Sequence, residues 1–324
     1  MRVIDVSDAE KILSVNGLCV SYNGVLTVQN ISFELCAGQS LGIIGESGCG
    51  KSTLLKAIMR LDEKTEVSGK VVFNGRDMKS FDEKELIALR GADMAMVSQN
   101  ASLSLDPVKT VSSLFYETAK AHNKIAKKTD CNKKAAQIME KLMLKDSRRI
   151  LRSFPFELSG GMCQRVAIAL AMINSPKLIL ADEPTSALDV ASQLQVLDEL
   201  GLLKDEFGVS VVMVSHNIGV VKRLCEKTAV MYAGRIVEYG NTREILINPL
   251  HPYTRALMAA IPDMDGNISK GLDGTPPAFT KKMPGCPFAP RCSMAFDRCK
   301  NEEPQDLFIS REHSAKCFAL ENMG

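Results

Sequence analysis

The chain has 324 residues, more than one average domain, so two or three structural units are expected. With 45% hydrophobic and 24% charged residues its composition is ordinarily globular, which excludes disorder throughout, a collagen and a coiled-coil rod. Lys and Arg number 40 against 38 Asp and Glu, and a formal net charge of +2 lacks the basic excess of a dedicated nucleic-acid binder.

Residues 12–45 carry β-branched and apolar runs broken by Gly and Asn, the texture of strands. The pattern turns helical over 51–61, and 71–78 (VVFNGRDM) reads as a short strand with an Asn-Gly turn. FDEKELIALR at 81–90 predicts a helix with acids in its first turn, and MAMVSQ at 94–99 a strand. From 107 to 174 no convincing strand occurs; helices are expected at 111–121, 132–144 and 162–174. Then follow a buried strand at 178–182, a helix at 189–207, a strand at 209–216 and a hairpin at 228–240. This alternation predicts an α/β fold with a mostly parallel sheet, interrupted by a helical block. The most apolar stretch, 166–176, is too short for the roughly 20 residues a bilayer needs. The first 11 residues lack the apolar core of a signal peptide, so a cytosolic chain is expected. Beyond Tyr239 the composition shifts: nine of the 13 prolines lie after residue 245. One helix is expected at 251–261, and otherwise a Pro/Gly-rich, irregular appendage.

Gly45-Glu46-Ser47-Gly48-Cys49-Gly50-Lys51-Ser52 fits G-x-x-x-x-G-K-[ST], after an apolar strand and before a helix. In such a loop, glycines let backbone N–H groups converge on phosphate oxygens, and the helix N-terminus adds partial positive charge. Gly45, Gly48 and Gly50 shape the loop and Lys51 is expected to reach the β/γ-phosphates. Ser52 is expected to hold Mg²⁺, and Thr53 joins the same nucleotide-binding set. A second element, LILADE at 178–183, is a buried strand with two acids at its tip, the edge where open parallel sheets bind ligands. Asp182 would serve the Mg²⁺ shell, and Glu183 would act as general base on the attacking water. Between them, LSGGMCQR at 158–165 places the capping residue Ser159 and the glycines Gly160 and Gly161 before a helical run. That is a second phosphate-binding helix start, serving a nucleotide held by another subunit.

In combination these motifs resemble the ATP-binding subunits of ABC transporters, with LSGGMCQR in the place of that family's signature sequence. The resemblance covers about residues 12–245. It implies a nucleotide-binding domain with a P-loop core and a helical subdomain at about 100–176 inserted into it. It implies that Tyr22 stacks on adenine and that Gln99 is the Q-loop glutamine and a further Mg²⁺ ligand. It implies too that Ser186-Ala187-Leu188-Asp189 is the D-loop, with Asp189 at the nucleotide, and that His216 is the switch histidine. Two such domains would close head to tail on ATP, each nucleotide held by Lys51, Ser52 and Asp182 of one and by Ser159 and Gly161 of the other. Asn217 stands where many relatives have Asp, and Cys163 where Arg or Gln is frequent; neither removes a catalytic group. Cys49, inside the loop, would make ATP binding sensitive to thiol reagents.

Residues 246–324 form the second expected unit. HPYTRALMAAIP, GTPPAF and MPGCPFAPRCSMAFDRC resemble the C-terminal extension of the oligopeptide, dipeptide and nickel importer subfamily. The resemblance implies an importer ATPase, peripheral on the cytoplasmic face of the inner membrane. It also implies a second ATPase subunit, identical or different, two integral-membrane permease subunits and an extracytoplasmic substrate-binding protein. Peptide uptake is the leading expectation, with nickel or a metal chelate as the alternative within transport. A soluble non-transport ABC ATPase is the alternative outside it, disfavoured by a single phosphate loop and no heptad run. Cys286, Cys292, Cys299 and Cys317 follow the spacing C-x5-C-x6-C-x17-C, wider than most zinc sites. Four thiolates suit an iron–sulfur cluster or structural zinc, and the resemblance favours [4Fe–4S]. Nothing in the sequence places these cysteines near the ATP chemistry.

Overall fold

The computed structural model describes residues 10–122, 124–125, 127–185, 189–260, 272–279, 284–310 and 312–321. Among them the strands are β1 (Lys11–Tyr22), β2 (Val25–Cys36), β3 (Ser40–Ile44), β4 (Thr65–Phe73), β5 (Arg76–Asp77), β6 (Met94–Val97), β7 (Leu178–Asp182), β8 (Ser210–Ser215), β9 (Lys227–Tyr232), β10 (Arg235–Asn241), β11 (Leu307–Ser310) and β12 (His313–Ala315). The chain divides into two compact units. The first comprises Val72–Met213 with Glu34–Ser40 and the described part of Met1–Leu13; the second comprises Ser14–Phe33, Leu41–Val71 and the described part of Val214–Gly324.

In the first unit β6 pairs in parallel with β7, Met94 opposite Leu178 through Val97 opposite Ala181. β8 flanks β7 on its other side. All five residues of β7 and all six of β8 are buried, which explains their continuous apolar sequence. Parallel pairing brings the C-terminal tips of β6 and β7 to one edge, as the sequence required for a ligand site. The Asn-Gly signal closes a hairpin: Val72 of β4 faces Asp77 of β5 across Asn74 and Gly75, both at positive φ. Asp82 and Glu85 form a reciprocal capping box at the start of helix Glu83–Leu89.

The stretch from 101 to 172 is helical, with helices Ala101–Ser104, Val111–Ala121, Lys128–Lys141, Ser147–Arg152 and Gly160–Met172. Helix Val111–Ala121 is capped by Thr110 and buries Val111, Leu114, Phe115 and Ala119, one face at helical spacing. That face packs against helix Lys128–Lys141, which buries Cys131, Ala135, Ile138 and Met139.

In the second unit β2 and β4 flank β1, and β3 pairs in parallel with β9. β9 and β10 form the expected hairpin, with Arg235 opposite Tyr232. The chain's end departs from the expected irregular tail. β12 adds to β10, Glu238 opposite Ala315, and β11 adds to β12, so the extension continues the sheet. Strands of four and three residues carry no readable period, and the upstream partner of β12 lies over 70 residues away. A buried carboxylate locks the joint. Glu238 accepts hydrogen bonds from His313 Nε2 (2.8 Å), Leu250 N (2.9 Å) and His251 N (2.8 Å). Helix Pro252–Ala259 starts there, capped by His251, somewhat shorter than the expected 251–261. Among the described residues no helix is long and apolar enough to cross a membrane.

Candidate functional site

The predicted site residues divide between the two units. The second unit carries Tyr22, the phosphate loop and His216; the first carries Gln99, Ser159 to Gly161, Asp182, Glu183 and Asp189.

The phosphate loop leaves the fully buried β3 and runs into helix Lys51–Ile58. Its shape depends on two glycines. At Gly45 (φ +158°) a Cβ would stand 2.1 Å from the Met231 carbonyl oxygen. At Gly48 (φ +77°) a Cβ would meet nothing within 4 Å, so that face of the loop is open. Gly50 is the helix N-cap and supplies no side-chain acceptor, a role an anion can take at a helix N-terminus. Lys51 is buried and donates to the carbonyls of Gly45 (2.8 Å) and Glu46 (2.9 Å). Tyr22 lies beside the same helix: its hydroxyl hydrogen-bonds with Asp62 and Thr53, and burial raises its pKa. His216 follows β8 and is exposed. Asn217, not His216, caps the next helix, its side chain accepting from Gly219 N at 2.9 Å. The Asp-to-Asn departure therefore keeps a good cap.

In the first unit the β6 and β7 tips bring Gln99 to Glu183, Nε2 donating to Oε2 at 3.2 Å. Gln99 stands two residues beyond the end of β6. Asp182 is buried at the end of β7, and Glu183 sits at φ +46°, a left-handed conformation uncommon for a non-glycine residue. Such strain is held in place at functional turns. Ser159 caps helix Gly160–Met172, accepting from Met162 N at 3.3 Å, and a Cβ at Gly160 would meet nothing within 4 Å. Cys163 is buried on that helix, its thiol 3.3 Å from the Pro155 carbonyl. Arg165 of the same helix pairs with Glu199 at 3.1 Å, and burial pushes the Glu199 carboxyl up to about 7. Asp189 is exposed, and its carbonyl starts helix Val190–Phe207 by accepting from Gln193 N. Ser186, Ala187 and Leu188 of the D-loop lie outside the described residues.

Two family models match the chain: ABC transporter over residues 28–186, and Oligopeptide/dipeptide transporter, C-terminal region, over 237–299. The Oligopeptide transport ATP-binding protein OppD of Salmonella typhimurium is 38% identical over 307 residues, 93% of this chain and 91% of the relative. The chain belongs to the ABC transporter ATP-binding family. The Dipeptide transport ATP-binding protein DppD of Bacillus subtilis is 37% identical over 95% of each chain. Among solved structures, the ATP-binding cassette MJ0796, a dimer bound to ADP and Pi, matches with a TM-score of 0.64 and 28% identity. It covers 71% of this chain and 99% of its own. As an ABC ATPase, this protein binds ATP with Mg²⁺ and hydrolyses it.

The loop leaves an open face at Gly48 that a side chain would fill, and the Ser52 hydroxyl and the Asp182 carboxylate, one in each unit, are oxygen donors of the hard kind that Mg²⁺ takes. Cys49 bears on the expected thiol sensitivity. It is 4% exposed, and burial raises its thiol pKa against the opposing pull of Lys51. A buried, protonated thiol is a poor nucleophile.

The four extension cysteines line one apolar cavity with Phe288, Phe296 and Phe318. Burial raises the thiols of Cys292 and Cys317 and pushes Cys286 up to about 11. Among the described residues no three His, Cys, Asp or Glu side chains are already arranged to hold an ion. The four thiols share one apolar cavity, and cysteine sulfur is the ligand of iron–sulfur and many zinc sites. The segment also touches the phosphate loop, contrary to expectation. Arg291, between Cys286 and Cys292, pairs with Glu46. Motif reading missed Arg291 because it belongs to no catalytic pattern; a cation inside an apolar, cysteine-rich run was the available signal.

Proposed function

We propose that this protein is the ATPase subunit of an importer of di- and oligopeptides. The observation that carries this reading is the C-terminal extension: its match to the oligopeptide/dipeptide transporter C-terminal region accompanies relatives named for oligopeptide and dipeptide transport. Residues 12–245 act as the nucleotide-binding domain, with 100–176 as its helical subdomain, and 246–324 as the extension. Lys51, with the loop N–H groups, binds the β/γ-phosphates, and Tyr22 stacks on adenine. Ser52, Gln99 and Asp182 would hold Mg²⁺, which neutralises developing charge on the phosphates. Glu183, held by Gln99, takes the proton of the attacking water, and His216 contacts the γ-phosphate. Ser159, Gly160 and Gly161 of one copy, with Asp189, close on the nucleotide of a second ATPase subunit. ATP binding favours that closed pair, and hydrolysis removes the preference. Two integral-membrane subunits and an extracytoplasmic binding protein complete the importer, with this chain peripheral on the cytoplasmic face.

Cys286, Cys292, Cys299 and Cys317 would hold a [4Fe–4S] cluster, with Zn²⁺ as the competing occupant. Their convergence on one cavity supports this. Anaerobic purification followed by iron, zinc and sulfide analysis decides between them, and a protein holding none of the three removes the site. The transport reading is tested by uptake in a deletion strain, with labelled di- and oligopeptides beside radioactive nickel. Loss of peptide uptake alone is expected. Loss of nickel uptake with peptide uptake intact overturns the peptide assignment.

A further inference from the structure

The second residue of the phosphate loop, Glu46, is held from the C-terminal extension at two points. Arg291 donates to both carboxylate oxygens, Nη1 to Oε2 at 2.7 Å and Nη2 to Oε1 at 3.0 Å. Tyr253 accepts from the Glu46 backbone N–H through its hydroxyl, at 3.0 Å. Both partners are themselves fixed. The Arg291 side chain is 6% exposed and also donates to the Tyr232 hydroxyl (3.2 Å) and the Asp273 carbonyl (2.9 Å). Tyr253 is fully buried, its ring packed on Tyr232 and Phe288 at 4.6 and 5.4 Å between centroids. The third polar group of Glu46, its carbonyl, accepts from Lys51.

We propose that Arg291 and Tyr253 are positioning residues for nucleotide binding, through which the extension sets the shape and charge of the phosphate loop. Two effects act together at Glu46. First, Lys51 rests on the carbonyls of Gly45 and Glu46, so displacing Glu46 displaces the cation meant for the β/γ-phosphates. Second, Glu46 is an anion inside a loop that binds a polyanion. A bidentate guanidinium neutralises it and fixes its direction. Without Arg291, an unpaired carboxylate stands among the groups that should attract phosphate. Arg291 lies on the turn Ala289–Arg291, directly before Cys292. The cysteine-bearing segment is thus mechanically part of the nucleotide site. In this fold the extension acts on ATP, not only on partners.

This inference rests on the loop being the ATP site, so the test separates the two. Binding of a non-hydrolysable ATP analogue with Mg²⁺ is measured by calorimetry on the full chain. Lys51→Ala should abolish it; retained binding would overturn the loop assignment itself. Arg291→Met should weaken binding about tenfold to a hundredfold, the scale of losing a charge-assisted pair. In turnover assays KM should rise with kcat little changed. Glu46→Gln combined with Arg291→Met should recover most of the affinity, because the repelling charge is gone. Arg291→Lys, which keeps the charge but not the fork, should lie between, and it serves if the Met variant does not fold. Tyr253→Phe should weaken binding less than Arg291→Met. Wild-type affinity in Arg291→Met, or a double variant no better than the single, overturns the proposal.

Discussion

The two loop glycines separate folding from ligand binding, and substituting each with alanine tests that separation. Both occupy the positive-φ half of backbone space, where an L-residue costs about 1–2 kcal/mol. For Gly48→Ala that is the whole folding cost, since the new Cβ meets nothing within 4 Å. The melting temperature should fall by only a few degrees, at roughly 2–4 °C per kcal/mol. The methyl group nevertheless occupies the open face where phosphate oxygens must approach. Losing one charge-assisted hydrogen bond there costs about 1.5–3 kcal/mol, or about 10- to 100-fold in ATP affinity. For Gly45→Ala the same backbone cost is joined by a Cβ placed 2.1 Å from the Met231 carbonyl oxygen, in the strand that pairs with β3. Backbone must move, so stability and affinity should fall together. Differential scanning calorimetry and titration with a non-hydrolysable ATP analogue give both quantities. Gly48→Ala with wild-type affinity would show that phosphate does not approach that face. Gly45→Ala as stable as Gly48→Ala would show that the Met231 carbonyl yields freely.

Glu183→Gln should lower turnover about 10²- to 10⁴-fold while leaving nucleotide binding intact; undiminished hydrolysis removes Glu183 as the base. Cys49 should stay unmodified by iodoacetamide at neutral pH while the half-buried Cys19 and Cys36 react, as peptide mass spectrometry would record. Fast labelling of Cys49 would contradict its burial. Glu238 predicts the acid response of the second unit. Burial alone would raise its carboxyl, but the bonds from His313 and the N–H groups of Leu250 and His251 outweigh that and hold it below the ordinary 4.5. A depressed folded pKa gives stability that is fully present above the ordinary value and is lost as pH falls through the folded one. Denaturation midpoints should therefore drop on acidification below pH 4.5 in the native protein and less steeply in Glu238→Gln. Parallel pH profiles would refute the role of this carboxylate.

Most of the local structure of the candidate site was legible because it depends on neighbouring residues. Gly45 to Ser52 encode a loop through glycine conformations and a helix start within eight residues, and the apolar run 178–182 ending in Asp182 and Glu183 encodes a buried strand with an acid tip. Ser159 capping helix Gly160–Met172 follows from chemistry within one helical turn. Three properties were not local. β12 pairs with an edge that β10 offers more than 70 residues upstream, and β11 then adds to β12. Cys49 is buried although it sits inside an eight-residue glycine-rich loop, because the fold packs other residues around it. Arg291 matters because Glu46, 245 residues away, meets it.

Short-range chemistry in the chain therefore dictated the phosphate loop, the acid-tipped strand and the capped signature helix. Backbone sterics and hydrogen bonding act over a few residues and leave their mark in residue order. Tertiary structure alone decided that the extension joins the sheet through β12 and reaches Glu46 through Arg291. Those contacts depend on which distant surfaces are buried together, and burial is a property of the folded chain, with no period or spacing to announce it.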